Sequence, residues 1–142
     1  MIRIADADRL RATEAVDLRR REVRDLAETL VARAAWALPE DRRLIEAVYR
    51  EGMSAKAVAE LRAEPVARIR RRLRRVIARL TSDRFLFVLR ERDGWPAPRR
   101  RVATACVLQG RSMRDGAKHL KVSLHEVRRQ LQLVDALREA AS

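Results

Sequence analysis

The chain has 142 residues, 47% of them hydrophobic but only 4% aromatic, and its 33 basic and 20 acidic side chains leave a formal net charge of +13. That suits one domain, or two very small ones sharing an aliphatic core. With four Gly and four Pro among abundant Ala, Leu, Arg and Glu, it predicts an all-α fold. Cys106 is the single cysteine, which excludes an internal disulfide framework and a four-cysteine zinc site. The opening "MIRIADADRL" has no apolar leader and no apolar run is long enough to span a bilayer, so a cytoplasmic protein without a membrane partner is expected.

Residues 6–37 read as one long helix or two stacked ones, with Asp6 or Asp8 as the cap. Leu10, Val16, Val23, Leu26, Leu30 and Val31 form one apolar stripe, while "DLRRREVRDLAE" alternates in sign on the outer face. Residues 1–38 are thus expected to brace the rest of the chain or to pair two copies into a homodimer. Pro39 then opens a new helix, and Glu40 and Asp41 suit its positive N-terminus.

Residues 39–80 read as a three-helix unit. The first helix buries Leu44, Ile45 and Val48 and stops at Gly52, in the left-handed conformation that Gly adopts at low cost. Ser54 caps a short second helix with Val58 and Leu61 inside, a tight turn follows at Arg62–Glu64, and Pro65 opens a third helix buried along Val66, Ile69, Leu73, Val76, Ile77 and Leu80. Residues 81–98 form a joint: Thr81 or Ser82 caps a short apolar helix, and Asp93-Gly94, Pro96 and Pro98 turn the chain. Phe85, Phe87 and Trp95 are expected to wedge between the units.

Residues 99–142 repeat the plan. A helix from about Arg99 to Gln109 carries Val102, Cys106 and Leu108; Gly110 stops it, Ser112 caps a short helix with Ala117 and Leu120 inward, and Lys121-Val122 turns the chain. Ser123 caps the last helix, whose inward positions are Val127, Leu131, Val134 and Leu137. "GMSAKAVAELRAEPVARIRRRL" and "GRSMRDGAKHLKVSLHEVRRQL" share Gly-x-Ser, an Ala, a β-branched residue and a Leu at matched positions, 58 residues apart. Residues 39–80 and 99–142 each hold a net charge of +6, whereas 1–38 holds +1 and 81–98 none. An excess confined to the two repeated blocks points to a polyanionic partner.

This plan is a helix-turn-helix without a wing, present in tandem. Burying the inward residues leaves Val66, Ala67, Arg70, Arg71 and Arg74 facing out from the first unit, and Leu124, His125, Arg128, Arg129 and Gln132 from the second. A helix fits the major groove of duplex DNA, where Arg reads guanine and Gln reads adenine, while residues farther along meet phosphate. The candidate DNA-binding residues are Arg68, Arg70, Arg71, Arg74 and Arg75, then Ser123, His125, Arg128, Arg129 and Gln132. "RIRRRLRR" suggests a large sequence-independent share for the first unit, and the mixed second helix is expected to carry more of the discrimination.

Through these residues the chain resembles region four of bacterial sigma factors, especially the short extracytoplasmic-function type. "LPEDRRLIEAVYREGMSAKAVAEL" resembles that region's opening, and "GRSMRDGAKHLKVSLHEVRRQL" its turn and recognition helix. The resemblance covers about 39–80 and 99–137. It implies binding to the promoter's upstream element and contact with RNA polymerase, carried by Arg70, Arg71, Arg74, His125, Arg128, Arg129 and Gln132. The chain departs from the family at Arg62 and Glu64, where Leu and an aliphatic residue are favoured, and at Gly116, where Ile or Val is; no segment resembles region two.

The expectation is a nucleoid-associated, DNA-binding transcription regulator. The alternatives are an adaptor that contacts RNA polymerase or a sigma factor, and a DNA-anchoring subunit of a phage or recombination complex. His119 and His125 read as surface residues, and no phosphate loop, nucleophile elbow or carboxylate cluster signals an enzyme, cofactor or metal.

Overall fold

The computed structural model describes residues 4–142, and they are helical with no strand among them. Helix α1 (Ile4–Ala34) is a single 31-residue helix. Only its last turns are packed: Leu30 and Ala34 are buried, whereas Leu10, Val16, Val23 and Leu26 are 45–69% exposed. The apolar stripe exists, but the body covers only the end that rests on residues 39–50 and 66–80. Asp6 lies in the first turn of α1 and Asp8 farther inside, so neither is a cap; Asp6 instead complements the positive end of the helix.

Two segments then fold alike, with element boundaries 58 residues apart except at the end of the last helix, which runs three residues longer in the second. In the first, α2 (Pro39–Ile45) runs into a π-helical turn at Glu46–Arg50, followed by α3 (Ala55–Arg62) and α4 (Val66–Leu80). In the second, α6 (Ala97–Ala103) runs into a π-helical turn at Thr104–Leu108, followed by α7 (Met113–Leu120) and α8 (Leu124–Ala141). Between them stand α5 (Asp83–Glu91) and a 3₁₀ turn at Arg92–Gly94. Helix α6 therefore starts two residues before Arg99, and Pro98 belongs to its first turn rather than to the connection.

The repetition extends to single hydrogen bonds. The N–H of Glu51 donates to the Glu46 carbonyl and that of Gln109 to the Thr104 carbonyl, both at 2.9 Å. Gly52 and Gly110 follow at φ +72° and +80°, which an L side chain adopts only at a cost. Ser54 Oγ accepts from Ala57 N at 3.1 Å and Ser112 Oγ from Asp115 N at 3.0 Å, capping α3 and α7. Both short helices end in a left-handed non-glycine residue, Ala63 (φ 54°) and Lys121 (φ 59°). The next N–H in each closes the end, Glu64 N to Ala59 O at 3.0 Å and Val122 N to Ala117 O at 3.1 Å. Arg62 and Glu64 thus leave the first connection with the same geometry as the second.

One buried cluster runs through both segments, from Leu30, Leu44 and Ile45 by way of Ile69, Leu80, Phe85 and Val88 to Val102, Leu108, Val127 and Val134. Helix α5 carries the core across, packing on α4, on the second π-helical turn and on α8. Phe85 is fully buried in that core, whereas Phe87 packs against Trp95 with ring centroids 5.8 Å apart and the planes tilted by 54°. Arg84 on α5 donates twice to Asp135 on α8, at 2.8 and 3.1 Å, and Arg33 on α1 donates to the Leu80 carbonyl at 2.8 Å. Two expected core residues are not in the core: Leu61 is 77% exposed and Leu137 38%. Leu61 lies on the uncovered side of the short α3, and Leu137 is only partly covered near the end of α8.

Candidate nucleic-acid interface

Helix α4 holds its cations by amphipathic geometry. Ile69, Leu73, Val76 and Leu80 are buried at spacings of four, three and four, which fixes one face inward and turns the arginines out. The arginines then divide. Arg72 donates to Glu40 at 2.7 Å and to Asp41 at 3.1 Å, and Arg79 to Asp41 at 3.4 Å. These bonds strap α4 to the first turn of α2. The Arg72 guanidinium holds the Glu40 carboxyl below its ordinary range, and Arg72 is itself raised, chiefly by its hydrogen bond to Glu40. Arg68, Arg70, Arg71, Arg74 and Arg75 are exposed and, among the described residues, make no ion pair.

Helix α8 is built on the same logic, with Val127, Leu131 and Val134 buried beneath it. His125, Arg128, Arg129 and Gln132 are all exposed. Arg129 pairs with Glu126 at 2.9 Å, and this bond, followed by one from Gln130, lowers the Glu126 carboxyl. Arg128 makes no ion pair among the described residues. Ser123 is the cap of α8, its Oγ accepting from Glu126 N at 3.0 Å, which leaves the hydroxyl proton for another acceptor.

All ten sequence-derived candidates are therefore on the surface. Five sit on α4, four on α8, and Ser123 at the start of α8. Sequence reasoning missed that Arg72 and Arg79 are claimed by carboxylates, because the partners lie 31 to 38 residues upstream. It also missed a recess of about 500 Å³ beside α4, lined by Arg68, Arg71, Arg72, Arg75 and Arg79 and bounded by Gly110 of the second segment. The guanidinium of Arg79 occupies the space that a Cβ on Gly110 would need.

No family model matches the chain, and no curated protein and no solved structure is significantly similar to it. Among the described residues no group of three His, Cys, Asp or Glu side chains gathers as a metal site would require. No described helix is long and apolar enough to cross a membrane.

Proposed function

We propose that this protein is a DNA-binding transcription regulator whose α3–α4 and α7–α8 pairs act as two helix-turn-helix units of the sigma region-four kind. The observation that carries this reading is the outward placement, with no ion pair among the described residues, of Arg70, Arg71 and Arg74 on α4 and of His125, Arg128 and Gln132 on α8. In this reading the first residues of each helix meet base edges and the later arginines meet phosphates. The unpaired cations of α4 supply affinity for any duplex, and α8 supplies the preference. Contact with RNA polymerase follows from the family resemblance.

The exposed stripe of α1 supports a homodimer within the same reading. Asp6, Asp8, Glu14 and Asp17 make the first half of α1 acidic on balance, and Arg19, Arg20, Arg21 and Arg24 make the second half basic. Two copies laid antiparallel set opposite charges against each other while covering Val16 and Val23. Such a dimer has a two-fold axis, and its preferred DNA site is a palindrome.

The deciding experiment is fluorescence anisotropy on a random duplex pool, followed by selection and sequencing. Seven or eight phosphate contacts give a slope of roughly −7 in log K against log salt. A protein that ignores duplex DNA even in dilute buffer sinks the reading.

A further inference from the structure

The recess between α4 and the Gly110 turn is where the two repeats meet, and it is concave. A duplex is met by a ridge that enters its groove or by a broad face along its backbone. A hollow of about 500 Å³ does neither, and it lies within the roughly 300–1,000 Å³ of small-ligand sites. Five guanidiniums line it against the single carboxylate of Asp41. Arg72 and Arg79, with side chains 25% and 21% exposed, are held in place by Glu40 and Asp41. Arg79 has one hydrogen bond to another side chain, at 3.4 Å, and its Nε is buried without a partner. Arg68, Arg71 and Arg75 stand at i, i+3 and i+7 on one side of α4, spread over about 10 Å of helix, and have no partner among the described residues.

We propose that this recess is a binding site for a free oligophosphate chain of two or three phosphates, such as the tail of a nucleotide. Planar guanidiniums bind phosphate oxygens in pairs. Three uncommitted ones along a helix match a short chain of anionic groups better than a single ion. Gly110 closes the far wall, and it must lack a side chain because Arg79 fills that space. A ligand here touches α4 of the first repeat beside the turn that precedes α7 of the second, so it bridges the two repeats. This site rests on its own reading but shares Arg68, Arg71 and Arg75 with the face of α4 assigned to DNA, and it differs from that face in drawing on Arg72, Arg79 and the Gly110 turn.

The test is calorimetric titration of the full chain with inorganic tripolyphosphate at fixed ionic strength. Saturable binding of one equivalent per chain is expected. Arg68→Ala and Arg75→Ala, whose side chains are exposed and unpaired, keep the fold by circular dichroism and weaken binding roughly tenfold or more. Arg74→Ala, on the other flank of α4, and Arg128→Ala, on α8, leave it within about twofold. No saturation in the wild type overturns the proposal, and so does an equal loss in all four variants, which is non-specific attraction to a basic protein. Because no DNA is present, loss of duplex binding with tripolyphosphate binding intact removes only the DNA reading, and the reverse removes only this one.

Discussion

A Cβ built on Gly116 of α7 falls 2.7 Å from the Sγ of Cys106 in the second π-helical turn. The matching pair in the first repeat is Val58 and Val48, so the second repeat accommodates its cysteine by giving up a side chain across from it. The glycine at 116 is therefore a packing solution. Gly116→Val is expected to destabilise by roughly 1–3 kcal/mol through overpacking. Gly116→Ala in a Cys106→Ala background is expected to stabilise by about 0.5–1 kcal/mol, since helix propensity then acts without the clash. Urea unfolding of the four chains in that cycle decides it, and equal effects of Gly116→Ala in both backgrounds contradict the contact.

Ala63 and Lys121 hold the left-handed conformation that ends α3 and α7. A residue with a Cβ is disfavoured there by roughly 1–2 kcal/mol. Ala63→Gly and Lys121→Gly are each expected to raise stability by about 0.5–1 kcal/mol despite the flexibility that glycine adds to the unfolded chain. Thermal melts that fall for both variants would contradict the assigned turn.

The unequal pairing of arginines on α8 separates their roles. Among the described residues Arg128 has no carboxylate partner, whereas Arg129 is tied to Glu126. Arg128→Ala and Gln132→Ala are expected to relax preference among duplex sites, each worth roughly 1–3 kcal/mol of discrimination. Arg74→Ala is expected to weaken all sites alike and to reduce the salt slope by about one. Arg129→Ala is expected to change less than Arg128→Ala. Competition binding with selected and scrambled duplexes reads all four, and an unchanged preference in Arg128→Ala defeats the assignment of α8.

The two ends of α1 are expected to respond differently. Val23→Asp alters an exposed position and should leave the melting temperature of the monomer unchanged while abolishing the dimer in sedimentation equilibrium. Leu30→Ala removes a fully buried side chain and is expected to cost roughly 2–5 kcal/mol. A wild-type chain that stays monomeric at high concentration removes the dimer.

Acid should loosen the strap between α2 and α4. The folded Glu40 carboxyl titrates below its usual 4.5 because Arg72 donates to it. The folded state then binds fewer protons than the unfolded one, so the stabilisation is present above about that pH and is lost as pH falls through the depressed value. The melting temperature of the wild type is expected to fall more steeply than that of Glu40→Gln between about pH 6 and pH 3. Parallel profiles would mean that the pair contributes nothing; Glu40 is largely exposed, so the difference is small.

The local features of this protein were legible in its sequence because they are set by residues a few positions apart. Ser54, Ser112 and Ser123 cap helices, Gly52 and Gly110 take positive φ, and the stripe of Ile69, Leu73, Val76 and Leu80 faces inward, each as the spacing implied. Only tertiary structure decided which parts of each pattern were covered. It buried Leu30 and left Val23 in solvent on one continuous stripe, and it left Leu61 outside. It gave Arg72 and Arg79 to Glu40 and Asp41 while leaving five other arginines of α4 without an ion pair among the described residues, and it set Cys106 against Gly116. Periodicity fixes the direction in which a side chain points from its own helix, but burial, pairing and steric fit depend on which distant segment arrives opposite it.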